Sequence, residues 1–196
     1  NSINPKSIFE VGCGYGGILE NLSVHMPDVN KFIGFDISPD AINNAKLKQN
    51  NRLSFLNADF TKQPDKCDVL VMADVFEHVE DYIDFIRSCK DKSDYIVFHI
   101  PLDISIESIL RESYIWTRIN FGHLHYFTEK MVISILKDLG LEILDIDYTS
   151  ELDFPRKSFG SKLSFPIRKA VELVFNKSNA AVCFGGYSIM VLTKTS

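Results

Sequence analysis

A chain of 196 residues has the length of one ordinary domain, and its 45% hydrophobic, 24% charged and 12% aromatic residues exclude a disordered polymer. The net charge is −5, with Lys and Arg scattered. That excludes the basic block that tracks a phosphate backbone, so nucleic acid is not an expected partner. No apolar run approaches the roughly 20 residues that span a bilayer, and the first residues carry no signal-peptide pattern. The four cysteines (Cys13, Cys67, Cys89, Cys183) lie far apart, with no zinc-type spacing, which fits reduced packing thiols and a cytoplasmic location. The chain starts at Asn1 rather than a methionine and enters a strand at once, as a piece of a longer protein would.

The first predicted strand, Ser7–Val11, runs into a turn holding Gly12, Gly14, Gly16 and Gly17. Ile18, Leu19 and Leu22 then fall at helical spacing, which predicts a helix over Gly17–His25. Glycines after a strand let the backbone turn sharply with no side chain in a ligand's way, and the helix's free N–H groups face whatever lies above. A second strand, Lys31–Asp36, precedes Ser38 and Pro39, a capping hydroxyl and a residue of preset φ, which predict a helix over 39–49. Strands over Leu53–Asn57, 68–73 and 95–100 follow, with a helix over 79–90 between the last two. This alternation implies an α/β fold: a mostly parallel sheet with helices on both faces.

After Pro101 the regularity lapses until Thr128, which caps a helix over 129–139 closed by Gly140. Residues 102–127 therefore read as a long connection, rich in aromatic residues and arginine, of the kind that forms a lid. A strand over 141–148 pairs with a closing antiparallel strand over 186–193. The stretch 149–185 between them is an insertion with one amphipathic helix over 163–175. No linker-like shift in composition divides the chain, so 1–196 is expected to be a single domain.

Several acidic positions collect at the carboxyl ends of these strands. Glu10, just before the first glycine, suits a cationic group and repels a pyrophosphate. Asp36 stands where a carboxylate accepts hydrogen bonds from both ribose hydroxyls of a nucleoside; its other reading is a cap ahead of the Pro39 helix. Asp59 and Phe60 suit an adenine amino group and its ring, against a loop aspartate with a core phenylalanine. Met72, Ala73 and Asp74 bring the fourth strand's backbone to the same edge. Asp74, Glu77 and His78, at i, i+3 and i+4, would suit a divalent ion if a helix began at Asp74. We read them instead as a carboxylate-rich helix start, and assign no metal.

Taken in order, EVGCGYGG, FIGFDIS, NADF, DVLVMADVFEHVED and GHLHYFTEKMVISILKDLGLEI resemble a class I S-adenosylmethionine-dependent methyltransferase of the small-molecule type (methyltransferase domain family 11/12/23-like). The resemblance covers most of residues 7–148. It implies a Rossmann-like sheet of seven strands with one antiparallel, and S-adenosylmethionine as cofactor, S-adenosylhomocysteine as product. It places Glu10 at the methionine amino group, the glycine loop along the methionine part, Asp36 at the ribose, and Asp59 with Phe60 at the adenine. The implied cofactor set is Glu10, Gly12, Cys13, Gly14, Tyr15, Gly16, Asp36, Ile37, Asp59, Phe60, Ala73, Asp74 and His78. The family's helix before the first strand is absent from this sequence. No [NDS]PP[YFW] tetrapeptide follows the fourth strand, which argues against amino-methylation of DNA bases or protein amides.

The expected acceptor is an oxygen or nitrogen of a small molecule or glycan. His123, His125 and Tyr126 are the candidate bases, their alternative being to dock the loop. Trp116, Tyr114 and Phe121 either line the acceptor pocket or anchor the loop; Arg111 and Arg118 either bind an anionic acceptor or are solvated. Two rival readings stand beside this one. One is an NAD(P)-dependent oxidoreductase, since Gly12, Gly14, Gly17 and Asp36 also satisfy its fingerprint; the other is a cofactor-binding module without turnover.

Overall fold

A computed structural model describes residues 3–153 and 159–195, with the side chains of 159–167 and 173 set aside. In chain order the elements are β1 (Ser7–Val11), α1 (Gly17–His25), β2 (Lys31–Asp36), α2 (Pro39–Ala45), β3 (Leu53–Asn57), β4 (Cys67–Ala73), α3 (Tyr82–Lys90) and β5 (Ser93–Pro101). They continue with α4 (Ile106–Leu110), α5 (Ser113–Phe121), α6 (Glu129–Asp138), β6 (Glu142–Ser150), α7 (Phe159–Cys183) and β7 (Tyr187–Lys194). The sheet runs β3-β2-β1-β4-β5-β7-β6. Strands β1 to β5 are parallel, and β7 lies antiparallel between β5 and β6.

Strands β1 and β2 are apolar on both faces because both of their faces are packed. Along β1, Ile8 joins Leu19, Phe32, Ile42 and Phe55 under α1 and α2, while Phe9 joins Phe35, Phe60, Ile86, Phe98 and Leu136 under α3 and α6. Order reverses between β1 and β4, so the crevice at their carboxyl ends is the place where open α/β sheets take ligands. Across β4, β5 and β7 the face that carries Ile8 is open. There Ile18, Leu22, Val69, Val71, Val97 and Leu192 line an apolar groove of about 550 Å³ that ends at Asp74 and His99.

Three helices differ from expectation, the first two because polar groups elsewhere take the bonds a helix would use. The helix expected over 39–49 stops at Ala45 and tightens into a 3-10 turn over Lys46–Lys48. Beyond it the Gln49 and Asn50 side chains accept backbone N–H bonds from Phe55, Arg52 and Leu53 and so start β3. The helix expected from residue 79 begins at Tyr82, capped by Asp81, which accepts from the Asp84 N–H at 3.0 Å. The carbonyls ahead of it are engaged elsewhere: Glu77 O accepts from Leu124 N and His125 N, and Val79 O and Glu80 O face His125 Nε2 at 2.9 and 3.1 Å. The helix expected over 163–175 extends over Phe159–Cys183 and is broken at Asn176 (φ 69°), whose side chain accepts from Asn179 N and restarts it. Residues 154–158 of the expected insertion lie outside the described residues.

The lid segment 102–127 is not irregular: it folds into α4 and α5. Ser105 and Ser108 cap α4 reciprocally at 3.0 and 2.7 Å, and Gly122, at φ +78°, ends α5. No residue of α5 is buried, and Ile115, Trp116, Ile119 and Phe121 are exposed. Apolar residues on all sides obscured the helical period in the sequence. The expected pairing of the last two strands is present, and β7 additionally pairs with β5, Ile96 opposite Thr193 and His99 opposite Met190.

Candidate cofactor cleft and acceptor cavity

The first half of the site is the crevice above β1 and β2. Gly12 N and Cys13 N both donate to Phe35 O, binding the glycine turn to the end of β2, and Asp36 closes it: Oδ2 accepts from Gly14 N and Oδ1 from Ser38 N, each at 2.8 Å. Each carboxylate oxygen can accept a further hydrogen bond, which leaves capacity for a diol. A Cβ on Gly14 would meet nothing within 4 Å, which marks the open space above the loop. A Cβ on Gly16 would come within 2.4 Å of the Phe55 ring. That glycine serves close packing, whereas Gly14 serves access.

Glu10 is 2% exposed and its Oε2 has no hydrogen-bond partner. Burial pushes its pKa to about 8, against a backbone N–H at Leu19 that lowers it; the Asp36 charge adds to the rise. A buried carboxyl short of a donor fits an incoming ammonium group. Tyr15 and Ile37 are exposed at the rim of the crevice, at 65% and 78%.

Two members of the expected cofactor set turn their side chains elsewhere. Cys13 is buried, its thiol pushed up to about 12 by burial. Phe60 is 1% exposed and packs on Phe35 (4.9 Å between centroids) and Phe9, so its ring serves the core and cannot cover an adenine. Only the backbones of these two residues remain available at the edge. Asp59 accepts from Thr61 Oγ1 at 2.6 Å and from Thr61 N, with Lys62 Nζ 3.0 Å away, and these hold it below the ordinary aspartate value.

The second half is a cavity of about 710 Å³ beside Asp74, walled by the turn after β4, by β5, α4 and α5, and by the β6 and β7 ends. Asp74 sits at φ +52°, its N–H on His99 O and its Oδ1 2.8 Å from His99 Nδ1, while His99 Nε2 meets Thr149 Oγ1 at 2.8 Å. Held there, Asp74 does not share a helical face with Glu77 and His78. Those two stand in a 3-10 turn (Phe76–His78) and gather instead with His123. Glu77 is fully buried, and neither of its carboxyl oxygens has a partner; burial pushes its pKa to about 8, with Asp74 and Asp103 adding to the rise.

Of the three candidate bases, His123 alone lines the cavity. Its Nδ1 is 2.6 Å from Asp103 Oδ2, which requires the proton on Nδ1. His125 is tied by Nε2 to the Val79 and Glu80 carbonyls, and Tyr126 donates to the His123 carbonyl, so both dock the segment rather than face the cavity. Tyr114, Trp116 and Phe121 do line it. Arg111 pairs with Glu107 on the surface, and neither Arg111 nor Arg118 lines the cavity. His99, Asp103 and Thr149 had no motif around them. The one available signal was a histidine inside the otherwise apolar strand YIVFHI.

The family profile described as "Methyltransferase domain" matches residues 2–146. This chain belongs to the class I S-adenosylmethionine-dependent methyltransferases. Membership removes the nicotinamide reading, in line with Glu10 at the first glycine. Ubiquinone biosynthesis O-methyltransferase of Nitrosospira multiformis is 31% identical over 93 residues, 44% of this chain and 38% of that protein. The enzyme of the same name from Aliivibrio fischeri is 29% identical over 119 residues, 56% and 50% respectively. The matches thus span half or less of these curated relatives. Among solved structures, an Archaeoglobus fulgidus SAM-dependent methyltransferase aligns over 96% of this chain and 86% of its own (TM-score 0.63, 22% identity). Magnesium protoporphyrin IX methyltransferase from Synechocystis PCC 6803, with bound S-adenosylhomocysteine, aligns over 96% and 74% (TM-score 0.64, 17% identity). At these identities the structures establish the fold. Among the described residues no helix is long and apolar enough to cross a membrane.

Proposed function

We propose that this methyltransferase family member transfers a methyl group to an oxygen of a small-molecule acceptor held in the cavity beside Asp74. The observation that carries the reading is the juxtaposition of the two halves. A crevice with the Asp36 carboxylate and an orphaned buried carboxyl, Glu10, packs through Gly12 against Val75, and the same segment after β4 lines a cavity of about 710 Å³ with Asp74, Glu77 and His78. Glu10 would hold the cofactor's ammonium group, the Gly12–Gly14–Gly16 backbone its methionine part, and Asp36 its ribose; Asp59 and the Phe60 backbone would lie toward the adenine.

Bound there, S-adenosylmethionine supplies an electrophilic methyl group on a sulfonium. In-line displacement asks the protein to align the acceptor and keep water out. Trp116, Tyr114 and Phe121 supply apolar walls for both tasks, and His123, held by Asp103, is the ring that acts on the acceptor oxygen. The curated relatives are O-methyltransferases, which supports oxygen as the acceptor atom.

The test is a thermal-shift titration with S-adenosylhomocysteine and, separately, NADH, followed by methyl-transfer assays on hydroxylated small molecules. Stabilisation by the homocysteine product alone, with transfer to a hydroxyl, is expected. Stabilisation by NADH alone removes the reading, and product binding without transfer to any acceptor favours a module without turnover.

A further inference from the structure

We propose that Glu77, His78 and His123 form a site for one divalent cation of the Mn²⁺–Co²⁺–Zn²⁺ kind at the floor of the acceptor cavity. One ligand atom from each residue lies within 4.8 Å of the others. Ligands at about 2.1 Å from a shared ion stand roughly 3.0 to 4.2 Å apart, so the cluster is within a small side-chain rotation of closing on one. The Glu77 Oε1 to His78 Nε2 separation, 3.9 Å, already falls in that range.

Two independent observations point to a ligand rather than to a chance cluster. Glu77 is fully buried with neither carboxyl oxygen partnered, a costly state for a polar group unless something occupies the space in front of it. Both imidazoles are also oriented from behind. His78 Nδ1 faces the Gly122 carbonyl at 3.3 Å and His123 Nδ1 faces the Asp103 carboxylate at 2.6 Å. An acceptor behind Nδ1 fixes the proton there and leaves Nε2 bare, the arrangement in which protein histidines bind metals. The two rings stand edge to face, 5.0 Å between centroids.

Two imidazoles and one carboxylate favour a borderline ion over Mg²⁺ or Ca²⁺, which prefer all-oxygen sets. Three protein ligands leave positions open toward the cavity, and a hydroxyl entering one of them releases its proton to bulk water more easily. The ion keeps its oxidation state, and only an O–H bond is broken in that step. This rests on the cavity being the acceptor site, and it specifies how His123 acts there.

The test uses chelator-treated full chain titrated with MnCl₂, CoCl₂ and ZnCl₂ in the absence of cofactor. Free Mn²⁺ is followed by its electron paramagnetic resonance signal and all three ions by calorimetry and melting temperature. One equivalent of at least one ion is expected to bind, with Glu77→Gln and His123→Gln each weakening it tenfold or more and His99→Gln, in the same cavity but outside the cluster, leaving it unchanged. A far-ultraviolet circular dichroism spectrum and a cooperative melt like the parent's verify that each variant is folded; a variant lacking them is replaced by His78→Gln, judged the same way. No stoichiometric binding of any of the three ions, or binding that these substitutions leave intact, overturns the proposal. Ion binding without a response to S-adenosylhomocysteine would overturn the cofactor reading while sustaining this one.

Discussion

Glu10 couples cofactor recognition to proton binding. Its folded-state pKa, about 8, lies above the ordinary 4.5, so its contribution to stability is fully present below about pH 4.5 and is lost as pH rises through 8. Each tenfold change in proton affinity is worth about 1.4 kcal/mol. Glu10→Gln removes that titration. The ligand-free variant is expected to melt above the parent at pH 8.5 and to approach it near pH 5, while its Kd for S-adenosylhomocysteine rises tenfold or more; melting curves at the two pH values and calorimetry check both. The glycines separate in the same way. Gly16→Ala sets a Cβ against Phe55 at φ +75°, costing about 1–3 kcal/mol by overpacking, so its melting temperature drops by several degrees. Gly14→Ala meets no neighbour at φ +51° and costs about 1–2 kcal/mol through backbone strain alone, so its larger effect is expected on ligand affinity.

At the scale of elements, strands and caps were legible wherever the signal is local. Ser7–Val11, Lys31–Asp36 and Leu53–Asn57 stand as read, and so does α1, because short apolar runs and the glycine turn are written in consecutive residues. The start of α3 was misjudged because the carbonyls ahead of it serve residues 124 and 125, more than 40 positions away. Helix α5 was missed since none of its residues is buried. That element carries Trp116, 55% exposed at the cavity mouth and in edge-to-face contact with Phe121 at 5.1 Å. Trp116→Ala is therefore expected to raise the acceptor KM severalfold, to leave S-adenosylhomocysteine affinity unchanged, and to cost under about 1 kcal/mol of stability, as surface substitutions do. Steady-state kinetics against calorimetry separates these effects.

Across the whole molecule, the crevice stands where the strand order reverses between β1 and β4, and the segment after β4 joins it to the cavity, Val75 packing on Gly12 while Asp74, Glu77 and His78 line the cavity. A ligand that bridges this point ties the α1–α2 side of the sheet to the α3 side. Saturating S-adenosylhomocysteine at about 100 times its Kd should stabilise the fold by about 2.7 kcal/mol, a rise of roughly 5–11 °C for a domain of this size, measurable by scanning calorimetry. The sequence by itself determined the sheet's strands, the glycine turn and the acidic residues that end β1 and β2, because each is a pattern of neighbours in the chain. Only the tertiary structure decided that Phe60 belongs to the core, that His123 rather than His125 faces the cavity, and that Glu77 and His78 join it while Asp74 turns to His99. Those outcomes depend on which distant backbone or side-chain group meets each polar atom, a competition that local spacing does not encode.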